Sequence, residues 1–517
     1  MVAHPLEAIL HPRSIAVVGA SPAGRGGGFI TPLFDLEFKG KIYPVNPKYQ
    51  EMFGLKTYPT VRDIPEEVDF VISSIPAQES LKLVDDCAVK GVKCIHFFTA
   101  RFSETGRADA ADLEKELLRR CRAANIRIIG PNCMGVFYPA WGMSFFGGMS
   151  KKSGSIGVAS QSGGAVGDIV DAMTTKGLYC SKGISYGNAL DFNEADYLEY
   201  FGEDPETNIV LMYVEGPRDG KRFFEVMREV TKKKPVIVLK GGRGKSGTRA
   251  TASHTASLAG SNTIWNAAIK QAGGINVTDI DEMIDVAAAF NFMPPILNNR
   301  VGVCGGSGGG SVMGADLSEE AGLDVIPLPE EIRVELKAKG SPIWDWISNP
   351  ADFSIGMGGE FNIAEVLGLM AKNPHFDMLI FYMMNPFARG GFRPPGAPKS
   401  GGQPYPPPVL TNPPAANTAA APVAVKPVPQ GPWGNMPPSL DAYVKQYRYE
   451  VIGKPMFVIL GDRGRNDPTG EGNKAYNEMR EKLIENGIVS YPNIKRAANA
   501  AHQLVVFYQE QQARLGS

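Results

Sequence analysis

The sequence lacks the marks of a membrane or secreted protein. No apolar run in its 517 residues approaches the roughly 18 residues that a membrane-spanning helix needs. The N-terminus, MVAHPLEAILHPRS, has no basic segment followed by an apolar one, so no secretory signal is visible. Six cysteines show no C-x-x-C pair and no paired spacing, which is typical of a reduced intracellular protein; they are Cys87, Cys94, Cys121, Cys133, Cys180 and Cys304. We therefore expect a cytoplasmic protein with no membrane partner.

The chain also lacks a surplus of charge of either sign. Lysine and arginine number 53 and aspartate and glutamate 54, which gives a formal net charge of -1. That balance excludes a generally basic nucleic-acid binder, so no nucleic acid is expected as a partner. Hydrophobic residues make up 43% of the chain and aromatic residues 9%, enough to bury substantial cores. The length predicts about three domains.

Proline, in contrast, is abundant and concentrated in one place. The chain has 40 prolines, and they make up about a third of the segment 394–438, too many for an ordinary helix or sheet interior. We expect this segment to be an insert between two strands of the last domain. A solvated linker and a docking segment for a partner are the two interpretations of such a composition.

Short β-rich apolar runs alternate with helical patterns along the whole chain. This alternation is typical of right-handed βαβ units and parallel sheets. Three such cycles follow one another, and their first strands read SIAVVGA, SIGVAS and RVGVCGGSGGG, at residues 14–20, 155–160 and 300–310. The pattern predicts an α/β fold of three doubly wound modules, with limits at 1–145, 146–297 and 298–517.

Glycines follow the first strand directly, in the turn GASPAGRGGG at residues 19–28. Backbone amides at the start of the next helix would suit a phosphate or pyrophosphate, although the spacing is not a clean G-x-G-x-x-G and a merely tight turn is the alternative. The second strand ends at Asn46, Pro47 and Lys48 rather than at the acid that binds ribose hydroxyls in NAD sites. A lysine there favours the ribose phosphate of NADP or coenzyme A over NAD.

One histidine, His254, lies in a segment of small and hydroxylic residues after a glycine-rich run. Two features at strand ends could converge on it: the turn Ser160–Gly164 and the pair Glu215–Gly216. All three should lie at the same edge of one parallel sheet. A carboxylate that orients an imidazole, beside amides that hold an anion, is what a phosphorylated histidine requires. A structural histidine is the alternative.

Seven stretches, in order along the chain, resemble the NDP-forming acyl-CoA synthetases, relatives of succinyl-CoA synthetase and ATP-citrate lyase. The matching stretches are IAVVGAS (15–21), KIYPVNPK (41–48), GPNCMG (130–135), GVASQSG (157–163), GNALD (187–191), YVEG (213–216) and SHTASLAG (253–260). The resemblance implies a Rossmann-like CoA-binding domain followed by two flavodoxin-like, succinyl-CoA-ligase-like domains. It implies interconversion of a carboxylic acid, CoA and a nucleoside triphosphate with acyl-CoA, a nucleoside diphosphate and phosphate.

The resemblance also assigns roles to residues of this sequence. His254 would be the phosphorylated histidine and Glu215 its orienting partner. The phosphate would be held at a helix N-terminus by Ser162, Gly163 and Gly164. Residues expected to bind CoA, or to lie near its thiol end and the reacting thioester, are Gly19, Ala20, Ser21, Lys48, Ser74, Ile75, Pro76, Glu104, Asn132 and Cys133. A small buried filler is the alternative for Cys133, and no cysteine nucleophile is implied.

The pattern departs from the family in ways that bear on partners. No stretch resembles the ATP-grasp domains, so the resemblance implies an ATP-grasp β-type subunit as a separate partner that would hold ATP or GTP, their diphosphates and Mg²⁺. A small carboxylic acid would be the substrate.

Arg101 stands where the family usually has glycine, and Tyr186 where a smaller residue is common, so both could reshape the thioester pocket.

Two other functions fit parts of the sequence. One is a non-catalytic CoA-sensing or scaffold protein that retains the fold, against which the intact histidine loop argues. The other is an NADP-dependent oxidoreductase that uses the first domain. Binding of CoA without phosphorylation would favour the former, and protection by NADPH rather than CoA would favour the latter.

Overall fold

A computed structural model describes residues 4–22, 27–255, 261–352, 363–383, 439–461 and 470–516. The predicted proline-rich insert, 394–438, lies outside the described residues. The chain divides into two compact units. One consists of Met1–Asn298 with Asn499–Ser517, and the other of Asn299–Ala498. The limits of the three domains stay a prediction from the sequence.

The first sheet has five parallel strands in the order β2-β1-β5-β6-β7. Its strands are β1 (Ser14–Val18), β2 (Lys41–Val45), β5 (Phe70–Ser73), β6 (Cys94–Phe97) and β7 (Arg127–Ile129), and a hairpin of β3 (Glu51–Met52) and β4 (Leu55–Lys56) follows β2. In register, Val18 lies opposite Val45 on one side and Ser73 on the other. The turns after β1, β2 and β5 are therefore neighbours at one edge of the sheet.

The second sheet has six strands in the order β13-β12-β11-β9-β10-β8. They are β8 (Gly135–Phe137), β9 (Ile156–Ser160), β10 (Cys180–Ser185), β11 (Ile209–Val214), β12 (Val236–Lys240) and β13 (Ile275–Val277). Five are parallel and run in the order 2-1-3-4-5, the order of flavodoxin-like folds. Strand β8 is antiparallel to β10 at the edge. The ends of β9, β11 and β12 lie side by side, as predicted.

The second unit has a four-stranded parallel sheet in the order β14-β15-β16-β17. Its strands are β14 (Val301–Cys304), β15 (Met378–Met383), β16 (Met456–Leu460) and β17 (Ser490–Tyr491). Isolated parallel bridges join Asp324 to Arg300 and Ala351 to Cys304. Three parallel sheets therefore confirm the predicted α/β class.

The helices connect these strands. They are α1 (Glu7–Leu10), α2 (Ile30–Asp35), α3 (Ser80–Lys90), α4 (Ala108–Ala123), α5 (Gly163–Thr174), α6 (Glu194–Glu203), α7 (Gly220–Val230), α8 (Lys245–Thr255), α9 (Asn262–Gln271), α10 (Ile280–Phe292), α11 (Gly308–Glu320), α12 (Glu330–Ala338), α13 (Ile363–Lys372), α14 (Leu440–Lys445), α15 (Tyr449–Ile452), α16 (Glu471–Glu485) and α17 (Ile494–Leu515). Short 3-10 turns include Ser103–Thr105. Within the described ranges, no helix is long and apolar enough to cross a membrane.

Strand β10, with the sequence CSKGIS, is absent from the sequence prediction. Its Lys182 is only 1% exposed, and a lysine is a poor signal for a buried strand. The ammonium lies 2.9 Å from Asp204 and 2.6 Å from Glu206, so two acids compensate its burial. The sequence prediction missed this strand because an apolar pattern cannot reveal an ion pair between residues that are distant in sequence.

Candidate functional site

The turn after β1 lies against the turn after β5. Gly19 has a φ of 83°, which favours glycine, and its amide donates to the Val45 carbonyl at 3.0 Å. A Cβ on Gly19 would lie 2.8 Å from the Ser74 Oγ and 3.1 Å from the Ile75 side chain. Ala20 next to it is buried. The two predicted CoA-binding turns are therefore in contact, and the exposed Pro76 starts the helical turn after β5.

Asn46 holds the turn after β2 against the turn after β1. Its side-chain amide donates to the Ala20 carbonyl at 2.7 Å, and its oxygen accepts from the Lys48 amide at 3.0 Å. This leaves Lys48 exposed at the strand ends. A lysine fixed there by its backbone fits a phosphate group such as that of CoA.

Gln161, which directly follows β9, holds the end of β11 through its side chain. The Gln161 side-chain oxygen accepts from the Glu215 amide at 2.5 Å and from the Gly216 amide at 3.1 Å, and its nitrogen donates to the Gly216 carbonyl at 3.3 Å. Glu215 is 3% exposed, and its carboxylate accepts from the Tyr213 hydroxyl at 3.4 Å. The sequence prediction missed Gln161, although it lies inside the quoted stretch 157–163.

Helix α5 begins after β9, the strand that pairs with β11. Ser162 caps the helix, since its hydroxyl accepts from the Ala165 amide at 3.3 Å. A Cβ on Gly163 would lie 2.6 Å from the Met134 Cγ, whereas one on Gly164 would meet only Ser162, at 3.9 Å. Gly163 is therefore required for packing, and Gly164 keeps the amides at the helix start open to a ligand.

Lys240, at the end of β12, is a second residue that sequence reasoning missed. Its ammonium donates to the Glu215 carbonyl and, at 2.6 Å, to the Gly241 carbonyl. Burial lowers the pKa of Lys240, and Glu215 opposes that shift. A Cβ on Gly241 would lie 2.6 Å from the Tyr213 hydroxyl and 3.0 Å from the Glu215 Cγ. Lysine and glycine thus let the chain turn closely around Glu215.

Helix α8 follows this turn and includes the backbone of His254. The His254 side chain and the segment 256–260 lie outside the described residues. The Thr248 hydroxyl donates to the Gly242 carbonyl at 3.0 Å, which fastens the helix start to the glycine run. The helix lies against the turn Ser103–Thr105 of the first sheet. This brings the predicted histidine segment and Glu104 into one region.

Glu104 is held in a network of the thioester-end residues. Its carboxylate accepts from the backbone amides of Arg101 and Phe102 and, at 2.7 Å, from the Asn188 side chain. The Asn132 amide donates to the Thr99 carbonyl at 3.0 Å, and its side chain lies 3.4 Å from Asn188. Asn188 belongs to the quoted GNALD stretch, but the sequence alone did not single it out.

Cys133 is buried, and burial raises the pKa of its thiol well above the usual range. Its carbonyl lies 3.0 Å from the His96 Nε2, and burial lowers the pKa of His96 to about 4. Both side chains therefore stay neutral near pH 7. His96 lies in the core, and Cys133 has the character of a buried thiol rather than of a nucleophile.

Arg101 and Tyr186, the two residues that depart from the family pattern, differ in their exposure to solvent. Arg101 is exposed, with a φ of 83°, which is uncommon for a residue that has a Cβ and explains why glycine suits this position. Tyr186 is fully buried and stacks on Tyr197 with ring centroids 5.0 Å apart. Arg101 can therefore act on a ligand directly, whereas Tyr186 acts only through packing.

Comparison with known proteins bears on this site. The alpha subunit of the ADP-forming acetate–CoA ligase II of Pyrococcus furiosus is 38% identical over 386 residues, which cover 74% of this chain and 84% of that protein. The chain belongs to the NDP-forming acyl-CoA synthetase family. A CoA binding domain model matches residues 13–139, and a model described as a succinyl-CoA ligase like flavodoxin domain matches residues 153–290. These ranges contain the turns described above.

One further relative is longer than this chain, and another has a solved structure. The ADP-forming acetate–CoA ligase of Methanocaldococcus jannaschii is 37% identical over 348 residues, and the chain spans about half of its length, 49%. The acetyl-coenzyme A synthetase 1 of Ca. Korarchaeum cryptofilum, solved with phosphate and ADP, is 28% identical with a TM-score of 0.74 and covers 99% of this chain and 98% of that chain. The fold of this family therefore extends over both units.

Proposed function

We propose that this chain is the CoA-binding, phosphohistidine-bearing α-type component of an NDP-forming acyl-CoA synthetase. Together with a separate ATP-grasp subunit, it interconverts a carboxylic acid, CoA and a nucleoside triphosphate with acyl-CoA, a nucleoside diphosphate and phosphate. The P. furiosus relative is named as a subunit, which supports a separate partner. A cytoplasmic location stays a prediction from the sequence.

One observation carries the proposal. Glu215 is buried, its amide is bound by Gln161, which directly precedes the capped start of α5, and the helix that includes His254 follows the adjacent strand. A carboxylate beside an imidazole orients the ring and stabilises the positive charge that forms when the ring attacks phosphorus. Amides at the start of a helix stabilise the phosphoryl oxygens.

The reaction would proceed in three steps. A phosphate oxygen attacks the thioester carbonyl, the carbon–sulfur bond breaks, and CoA leaves as a thiolate. The neutral imidazole of His254 then attacks phosphorus, the bond to the acyl oxygen breaks, and the carboxylate leaves. Finally the phosphoryl group passes from His254 to the terminal oxygen of a nucleoside diphosphate. Each transfer depends mainly on positioning and on charge neutralisation.

Coenzyme A fits the turns at the end of the first sheet. Gly19, Ala20 and Ser21 supply close backbone, the turn Ser74–Pro76 packs beside them, and Lys48 offers a cation to a phosphate. Glu104, Asn132 and Cys133 would lie at its thiol end. The nucleotide and Mg²⁺ are expected on the partner. Among the described residues, no group of three His, Cys, Asp or Glu could hold a metal ion.

The experiment is to incubate the chain with an ATP-grasp partner and ATP labelled at the γ-phosphate. An acid-labile, base-stable label on the chain is expected, lost in His254→Asn and kept in the control His375→Asn. A label that survives in His254→Asn, or none with an active partner, would refute the proposal. CoA binding without label would instead indicate a CoA-sensing protein, and protection by NADPH rather than CoA would indicate an oxidoreductase.

A further inference from the structure

Asn188 is a buried residue whose polar groups are all in use. It is 1% exposed, and its side-chain nitrogen donates to Glu104 at 2.7 Å and to Glu114 at 3.1 Å. Its side-chain oxygen lies 3.4 Å from the Asn132 nitrogen. Because two carboxylates can only accept, an amide nitrogen with two hydrogens is the neutral group that satisfies both.

The backbone of Asn188 is held as firmly as its side chain. Its amide donates to the Pro131 carbonyl at 2.9 Å, and its carbonyl accepts from the Arg218 Nε at 3.0 Å. Arg218 lies three residues beyond Glu215. One buried residue thus connects the segment with Asn132, the turn with Glu104 and the loop after β11.

Glu114 extends this network into the turn that contains Glu104. It is a 6% exposed residue of α4, and its carboxylate accepts from the Ser103 amide at 3.1 Å and from the Ser103 hydroxyl at 2.8 Å. Helix α8 lies against the turn Ser103–Thr105. Asn188 and Glu114 therefore both hold the turn that contains Glu104.

We infer that Asn188 is a positioning residue for the acyl-transfer half of the reaction, an inference that rests on the proposed function. Its amide holds Glu104 and Asn132 at the thioester end. Loss of the amide frees two neighbouring carboxylates to separate, because like charges within a few ångströms repel each other. Phosphorylation of His254 by the partner should depend on this network less than acyl transfer does, because Glu104 and Asn132 are assigned to the thioester end.

Separate measurement of the two half-reactions distinguishes a positioning role of Asn188 from a purely structural role. Asn188→Ala and Asn188→Asp are labelled with ATP and partner, and the label is then discharged with CoA and the acid on which the wild-type pair is most active in a screen. We expect labelling within about twofold of wild type, and discharge to acyl-CoA at least 100-fold slower, a loss of about 2.7 kcal/mol of transition-state stabilisation. Asn188→Asp, which has the same size but adds a charge, should be the slower.

Two further variants keep the experiment decisive. Asn276→Ala removes a half-buried asparagine of β13, whose side chain donates to the Asn266 carbonyl, and should change neither half-reaction. If the Asn188 variants fail to fold, Glu114→Gln takes their place and should slow discharge with labelling intact. Discharge at the wild-type rate in a labelled variant, or an equal loss of labelling and discharge in folded variants, would overturn the inference. A wild-type pair without label would instead refute the proposed function.

Discussion

Gly187 occupies the point where two segments of the site come into contact. It has a φ of 53°, and a Cβ there would overlap the carbonyl oxygens of Pro131 and Asn132. Backbone oxygens cannot move aside as the end of a flexible side chain can. The residue before Asn188 is thus restricted to glycine by conformation and by space.

Gly187→Ala should therefore destabilise the first unit by about 2 kcal/mol or more, because it combines a left-handed backbone with an overlap. Urea unfolding followed by circular dichroism measures the change. Gly183→Ala is the matched control, since a Cβ there meets Phe137 and Val166 only at 3.6 Å or more. Equal stability of the two variants would contradict this account of the turn.

Asp69 links the starts of three strands of the first sheet. Hydrogen bonds from Arg13 hold the pKa of Asp69 well below its usual range, and Lys93 contributes at 2.9 Å. A carboxyl with a depressed pKa stabilises the fold above its unfolded pKa, near 4, and this stability is lost as the pH falls through the folded value.

Asp69→Asn should lower the free energy of unfolding at pH 7 by about 2 kcal/mol, the value of a hydrogen bond to a charged group. The difference from wild type should shrink steadily as the pH falls below about 4. Urea unfolding at a series of pH values measures it, with the exposed Asp112→Asn as a control that stays constant. A difference that grows at low pH would refute the assignment.

At the scale of elements, apolar runs predicted the strands well. Strands β1, β9 and β14 are continuous buried runs, and each lies inside its predicted range. Their order along the chain also predicted which ends become neighbours. Strand β10 escaped because it buries Lys182 against Asp204, an interaction between residues far apart in the pattern.

Helix α17 illustrates another limit of sequence patterns. Its residues from Asn499 onward belong to the first unit, whereas the sheet that precedes it belongs to the second. Phe507 packs on Phe290 of α10 with centroids 5.2 Å apart. Periodicity identifies an apolar face, but it cannot identify the core against which that face packs.

Phe507→Ala should destabilise the first unit by about 3 kcal/mol, because it removes a large buried side chain. Hydrogen–deuterium exchange should become faster in peptides from α10, while β16 of the second unit stays unchanged. Leu515→Ala, in the same helix but 65% exposed, is the control. Faster exchange only in β16 would show that the helix end stabilises the other unit.

At the scale of the whole molecule, the sequence predicted which strand ends lie side by side at the candidate site, but not how they are held. Glu215, Ser162 and Gly19 follow from glycines and acids placed after strands. Gln161, Lys240 and Asn188 hold them through hydrogen bonds to backbone or side chains that are distant in sequence. Such pairings arise only when the sheets are assembled, and a single sequence carries no local signal for them.

The antiparallel strand β8 has a mechanical consequence for the first unit. The chain passes from Asn132 into β8 of the second sheet within three residues, and backbone bonds from Asn188 to Pro131 and from Leu190 to Gly130 fasten this crossing on its other side. A hinge motion that separates the two sheets would have to break these backbone hydrogen bonds. We therefore expect a ligand at the end of the first sheet to exchange through movement of surface turns rather than through separation of the two sheets.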